Sequence, residues 1–210
     1  MGRTLCYEVI HDKPLPYETR REIRLAQLML NHHFKWTCEE LTLEFFEQPE
    51  TPAKSDKYFC DTKNPSPRIA TGFTKVRDDE WNAALIVAFM RWVSTRLPEA
   101  AVSLHDEGDY LLAGYVLMRN GRLAVDENRV ARQREYLKSQ KLNKHLARYD
   151  WWVERARQGE FFNEYSALEY ASRKEIETLG LTREDLQGAT LDEVVNRLVL
   201  PWKTEWLEAA

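Results

Sequence analysis

The sequence predicts an α+β protein with a mainly antiparallel sheet in the order β-α-β-β-α-β-β, packed with two long helices and followed by an all-helical C-terminal region. Short segments such as 5–10 and 41–45 alternate apolar and polar residues with the period of a strand. In segment 81–97 the apolar residues recur at the spacing of a helix, and the strand patterns stop after residue 125. We therefore expect a sheet domain at 1–125 and a helical region at 126–210, which either packs on the sheet domain as one unit or folds independently.

The first strand and the first helix follow from the spacing of their apolar residues. Leu5, Tyr7 and Val9 form one row of a strand. After two prolines, segment 17–34 repeats apolar side chains at helical spacing, which predicts a long amphipathic helix. The inner face of this helix is defined by Ile23, Ala26, Leu30, His33 and Phe34.

The second strand is predicted over 36–47 from alternating apolar residues, namely Leu41, Leu43 and Phe45. A polar connection with four prolines then extends over 48–69. Connections of this length are uncommon inside compact domains, and they are often functional or mobile. A short strand at 73–76 is predicted to precede the next helix.

The clearest helix is predicted from Trp81 to Leu97. Asp78 and Asp79 are candidate N-caps, and Pro98 limits the far end. Apolar residues also fill the sides of the middle turns, so we expect this helix to be the central packing element. The stripe that defines it consists of Trp81, Ala84, Leu85, Ala88, Phe89, Trp92, Val93 and Leu97.

A β-hairpin is predicted around the pair Asn120-Gly121. Apolar segments at 110–118 and 123–125 flank this pair. Both central positions of a type I′ turn need positive φ, which Asn and Gly adopt readily. A strand at 101–104 precedes the hairpin, so we expect neighbouring antiparallel strands at this end of the sheet.

Helices are predicted throughout the C-terminal region. A short one is expected around 130–137 and a longer one over 142–156. Another helix over 163–179 ends at Gly180, which suits the C′ position. A capping box that starts the last helix is formed by Thr190 and Glu193.

The composition excludes several classes of partner and location. With 210 residues, a formal net charge of -4 and a pI of about 5.8, the chain has no global positive field that would attract nucleic acid or anionic membranes. No apolar run approaches the roughly 20 residues of a membrane helix. Three widely spaced cysteines suit reduced thiols better than a disulfide framework. We expect a soluble cytoplasmic protein with no membrane partner and no cofactor.

The segment 102–110 places several potential ligand or proton-transfer groups between two apolar runs. Candidate ligands of a hard divalent cation are His105, Asp106, Glu107 and Asp109. His105 and Glu107 would share one side of a strand, which makes them the candidate catalytic acid and base. This hypothesis describes a metal-assisted hydrolase or nuclease. The competing interpretation is a polar turn between two strands, in which Gly108 supplies positive φ.

A basic run with interleaved aromatic residues extends over 129–157. Arg and Lys neutralise phosphates, and aromatic rings stack on unpaired bases. Nucleic acid binding is therefore one hypothesis, with Arg132, Lys141 and Arg148 as the residues that would test it. The competing interpretation is a solvated outer face of two helices that pairs with the acidic C-terminal helices.

Trp151 and Trp152 are adjacent, so both cannot face inward on one helix. At least one of them should lie on a boundary or an interface. Because Trp is enriched in binding hot spots, this pair is the leading contact candidate for a protein partner. Packing against the sheet domain is the alternative.

The lead function hypothesis is a soluble intracellular protein-interaction module of the inhibitor, immunity-like or adaptor type. The chain has no phosphate-binding glycine loop, nucleophile elbow, HExxH motif or kinase signature, which disfavours several large enzyme classes. A protein partner is expected ahead of a nucleic acid. Nucleic acid binding through 129–157 and metal-assisted catalysis at 105–109 are the alternatives.

Overall fold

A computed structural model describes residues 3–34, 36, 38–51, 66–76, 80–106, 116–159, 166–170, 173, 176–177 and 180–199. Together these residues form an antiparallel sheet packed with helices and followed by helices, which confirms the α+β class. Among the described residues the sheet has six strands, one more than the predicted order contains.

The elements have the following bounds. The strands are β1 Arg3–Ile10, β2 Glu44–Glu50, β3 Arg68–Val76, β4 Ala101–Asp106, β5 Val116–Arg119 and β6 Arg122–Val125. The helices are α1 Tyr17–His33, α2 Glu80–Arg96, α3 Glu127–Ser139, α4 Asn143–Arg157, α5 Ala167–Tyr170, α6 Arg183–Leu186 and α7 Leu191–Val194. The last of these helices continues into a π-helical turn at Val195–Val199.

Strand β1 lies inside the sheet, whose spatial order is β2-β3-β1-β4-β5-β6. Both of its neighbours, β3 and β4, run antiparallel to it. The row predicted from the period of two, Leu5, Tyr7 and Val9, is buried in the apolar core. Cys6 and Glu8 in the other row are buried as well, so both rows of β1 are shielded from water at these positions.

Helix α2 is the central helix of the core, as the sequence predicts. Every residue from Trp81 to Ser94 is buried. The helix is covered by the sheet through β4 and β5, and by the C-terminal segments through α5, α7 and the π-helical turn. The candidate N-caps Asp78 and Asp79 lie outside the described residues.

The second strand begins later than predicted, because the N–H groups of residues 41–43 and the carbonyl of Leu41 bond to side chains instead of to the backbone of a neighbouring strand. The four bonds, donor first, are Leu41 N–H to Asn31 Oδ1 (3.1 Å), Asn31 Nδ2 to Leu41 O (2.8 Å), Leu43 N–H to Gln27 Oε1 (3.1 Å) and Thr42 N–H to the Tyr7 hydroxyl (3.2 Å). These partners satisfy backbone groups that a strand would otherwise pair. Leu41 and Leu43 are therefore buried outside the sheet.

The hairpin predicted at Asn120-Gly121 is confirmed as the turn between β5 and β6. The φ angles are 46° at Asn120 and 74° at Gly121, as a type I′ turn requires. The N–H of Gly121 donates to the hydroxyl oxygen of Ser94 at 2.8 Å, which fastens the turn to α2. The earlier part of the predicted strand, 110–115, lies outside the described residues.

Two predicted helix boundaries in the C-terminal region are confirmed. Gly180 has φ 67°, and the N–H of Leu181 donates to the carbonyl of Ile176 at 3.0 Å, which is the Schellman pattern. Thr190 and Glu193 form both reciprocal bonds of the capping box. Of the helix predicted over 163–179, the described helical residues are 167–170, 173 and 176–177.

The described helices after residue 125 contact both the sheet and the central helix. α4 contacts β6, while α5, α7 and the π-helical turn contact α2. The division into 1–125 and 126–210, with or without independent folding, stays a prediction.

Candidate functional site

The segment predicted as a metal or catalytic site begins at the end of β4. The strand extends to Asp106, and its register places position 105 opposite Cys6 of β1. For His105 and Asp106 the structure describes only the backbone. The other two candidates, Glu107 and Asp109, lie outside the described residues. Within the described part of the chain, no group of three or more His, Cys, Asp or Glu side chains lies close enough to hold a metal ion. The metal site and the acid–base pair stay predictions.

A buried ion pair joins β1 to β3. Glu8 is 5% exposed, and its Oε1 accepts a hydrogen bond from Nη1 of Arg68 at 2.9 Å. The guanidinium of Arg68 also lies over the ring of Phe46, 5.9 Å from its centroid. In the sheet register Glu8 is opposite Thr71 of β3 and Ser103 of β4.

The ion pair has a clear structural role. A buried carboxylate costs several kcal/mol unless a counter-charge and hydrogen bonds compensate it. Arg68 supplies both to Glu8, and because the two residues belong to β3 and β1, the bond ties these strands together. Ser103, buried opposite Glu8, adds a hydroxyl to the same row.

Sequence reasoning missed this pair because its two members are sixty residues apart. Glu8 alternates with Tyr7 and Val9 in the way a solvent-facing strand residue does. Arg68 falls at the end of the connection predicted over 48–69, before the strand predicted at 73–76. The available signal was a single carboxylate within the otherwise apolar segment 5–10.

Two arginines of the basic run pair with acids of the same helical hairpin, α3–α4. Nε of Arg134 lies 2.9 Å from Oδ1 of Asp150. Arg157 donates to both carboxylate oxygens of Glu127, from Nε at 3.0 Å and from Nη2 at 2.8 Å. Hydrogen bonding to Arg157 lowers the pKa of Glu127. These two arginines therefore pair within the hairpin, which differs from the expected pairing with the acidic C-terminal helices.

The outer side of α4 carries positive charge around one aromatic ring. At steps of four, three and four residues, one side of the helix presents Lys144, Arg148, Trp151 and Arg155, and we name these residues the α4 basic stripe. Lys144, Arg148 and Trp151 are exposed, and Arg155 is half-buried. The opposite side of the helix is buried through Tyr149, Val153 and Ala156.

Trp151 and Arg155 contact each other within the stripe. Trp151 is 43% exposed, and Cζ of Arg155 lies 4.7 Å from its ring centroid. A cation over an aromatic face is attracted by the ring quadrupole, so each side chain restricts the other. Helical spacing places Asp150 and Glu154 off the stripe, and both of these acids bond to arginines of the hairpin.

The predicted interaction residues do not all lie on one helix face. Arg148 and Trp151 share the stripe, whereas Arg132 is exposed on α3. Lys141 is exposed in the turn between the helices, where its φ is 57°. The side chain of Trp152 lies outside the described residues.

No protein-family model, curated protein or solved structure matches this chain. In the part of the chain that the structure describes, no helix is long and apolar enough to cross a membrane.

Proposed function

We propose that this protein is a protein-interaction module that docks an acidic protein surface on the α4 basic stripe. The observation that carries the proposal is the exposed Trp151 ring, stacked with Arg155 and set among cations on one helix side. As part of the same proposal, the protein acts in the cytoplasm as an inhibitor, immunity-like protein or adaptor.

Residue types support a protein contact at this position. Trp and Arg are enriched in binding hot spots, where a rigid ring fills a pocket and a guanidinium pairs with a carboxylate. The stack restricts Trp151 and Arg155 before binding, so less side-chain entropy is lost when a partner docks. The same hairpin has two further exposed large side chains, Tyr136 and Leu142.

The charge of the stripe indicates an acidic partner. Lys144, Arg148 and Arg155 contribute positive charge on one side of α4. The neighbouring acids Asp150 and Glu154 lie off the stripe and bond to arginines of the hairpin. A protein surface is favoured over nucleic acid because the chain as a whole has a net charge of -4, which opposes the approach of a long polyanion.

The proposal is tested by affinity capture from the native lysate with variants of the stripe. Trp151→Ala removes the ring, and Arg148→Glu reverses one charge of the stripe. Arg24→Glu, at an exposed position of α1, is the matched charge-reversal control. We expect the wild-type protein and the control to retain the same acidic protein at defined stoichiometry, and both stripe variants to lose it.

Three outcomes would contradict the proposal. If Arg148→Glu and Arg24→Glu retained the acidic protein equally well, its binding site would lie outside the α4 basic stripe. Retention that disappears on nuclease treatment and falls steeply with salt would replace the protein partner with nucleic acid. A wild-type protein that retains nothing above an empty support would remove the interaction hypothesis.

A further inference from the structure

Arg91 is a buried cation at the junction between α2 and the C-terminal segments. The residue is 5% exposed, and its Nη1 donates a hydrogen bond to Oδ1 of Asn196 in the π-helical turn. Nδ2 of Asn196 in turn donates to Oδ2 of Asp192 on α7, at 2.8 Å. A chain of polar groups thus connects the central helix to the last described elements.

Two of the three guanidinium nitrogens of Arg91 make no hydrogen bond within the part of the chain that the structure describes. In the described residues, neither Nε nor Nη2 of Arg91 has a hydrogen-bond partner. Burial lowers the pKa of Arg91, and the charge of Asp192 opposes this shift. Burying a hydrogen-bond donor without an acceptor costs free energy, and burying a charge costs more. The described contacts of Arg91 therefore do not by themselves explain why its guanidinium is buried.

We propose that Arg91 is the receptor of an oxyanion, a carboxylate or phosphate group, that binds between α2 and the π-helical turn. Nε and Nη2 form the planar fork with which arginine binds two oxygens of one anion. Such a ligand supplies the two acceptors that Nε and Nη2 lack among the described residues. The site is independent of the α4 basic stripe, which lies on another helix.

The π-helical turn is the second feature that indicates a site here. Single π-helical turns are rare, and they occur frequently at functional positions. Asn196 lies within the turn Val195–Val199 and holds Nη1 of Arg91, which fixes the orientation of the fork. Anion binding is therefore coupled to the position of this turn on α2.

The test is a titration of the full-length protein with acetate and with inorganic phosphate, each compared with chloride at equal ionic strength. The readouts are the thermal unfolding midpoint and the NMR resonance of the Arg91 Nε–H group, which is assigned by its absence from Arg91→Lys. We expect a saturable shift of that resonance and a rise of several degrees in the midpoint with at least one anion. The anion that acts at lower concentration identifies the ligand group as carboxylate or phosphate.

Variants separate ligand binding from a structural role of Arg91. Arg91→Met keeps the length of the side chain and removes the charge, and we expect it to fold with equal or greater stability in chloride while losing the anion response. Arg24→Met, at an exposed position, is the control and should respond as the wild-type protein does. An unmoved Arg91 resonance, or the same midpoint shift in Arg91→Met, would overturn the assignment. Trp151→Ala should retain the response, so failure of the docking proposal leaves this one unaffected.

Discussion

Tyr7 and Gly72 face each other across the β1–β3 ladder, and the ring of Tyr7 occupies the space that a side chain at position 72 would need. A Cβ atom at Gly72 would lie 2.4 Å from Cε2 of Tyr7 and 1.9 Å from the carbonyl oxygen of Thr42. The hydroxyl of Tyr7 reaches Oγ1 of Thr74 at 2.7 Å and accepts a hydrogen bond from the N–H of Thr42 at 3.2 Å. The missing side chain at Gly72 is thus part of what lets Tyr7 connect β1 to the segment before β2.

Gly72→Ala is expected to lower the free energy of unfolding by about 1–3 kcal/mol, the usual cost of overpacking a core. The clash with the Thr42 carbonyl involves backbone, which cannot rotate away as a side chain does. Equilibrium denaturation measures the effect. Lys75→Ala, at an exposed position of the same strand, is the control and should change stability little. A fully stable Gly72→Ala protein would show that Tyr7 and residues 41–43 can move together.

Tyr7→Phe is expected to destabilise the protein by about 1–3 kcal/mol, because the partly buried N–H of Thr42 loses its acceptor and the buried hydroxyl of Thr74 loses its partner. The substitution also changes the alkaline behaviour. Burial raises the pKa of Tyr7 above its ordinary value of 10.0. The neutral phenol therefore contributes stability that is present below about pH 10 and is lost as pH rises towards the folded-state pKa. Unfolding curves above pH 9 should be less steeply pH-dependent in Tyr7→Phe; identical pH profiles would contradict this account.

Local signals explain which parts of the fold were predictable. The hairpin at Asn120-Gly121 depends on two residues that accept positive φ, and α2 depends on spacing within seventeen residues. Both were predicted and are confirmed. The segment 41–43 has an equally regular alternation, yet Asn31 and Gln27 of α1 take its backbone bonds. A pattern of apolar residues specifies which side chains are buried, and it does not specify what satisfies the backbone.

In the candidate sites, too, local patterns were predictable and contacts between distant residues were not. Arg148 and Trp151 were predicted as contact residues from their types, and their common face follows from helical spacing within α4. The Glu8–Arg68 pair and the Arg91–Asn196 bond join residues that are 60 and 105 positions apart. No local pattern encodes such pairs, because they depend on which strand lies beside β1 and which segment covers α2.

The Glu127–Arg157 pair is expected to contribute modestly to the α3–α4 hairpin. Both side chains are well exposed, so Glu127→Gln should cost less than about 1 kcal/mol. Because hydrogen bonding to Arg157 lowers the pKa of Glu127 below its ordinary value of 4.5, the contribution is present above that pH and is lost as pH falls through the lowered pKa. NMR titration of the Glu127 carboxyl measures this directly. Arg157→Gln should return the midpoint towards 4.5, and an unchanged midpoint would assign the shift to another group.

The capping box of α7 is expected to control how firmly the C-terminal segments hold to α2. Thr190 accepts from the N–H of Glu193, and the Glu193 carboxylate accepts from the N–H of Thr190. Thr190→Ala removes the first bond and should cost about 1 kcal/mol, the usual value for losing an N-cap. Since Leu191 and Val194 are buried, the loss should appear as faster amide exchange over 191–199.

A second capping box in the same region provides the control for this prediction. Thr182 and Asp185 cap α6, which contacts α5, whereas α7 contacts α2. Thr182→Ala should therefore accelerate amide exchange around 183–186 and leave the amide exchange rates over 191–199 closer to those of the wild-type protein. The bond from Thr190 also lowers the pKa of Glu193, so the box is intact above the ordinary value of 4.5 and weakens as pH falls through the lowered pKa. Equal exchange over 191–199 in both variants would mean that contacts with α2, rather than the cap, hold this segment in place.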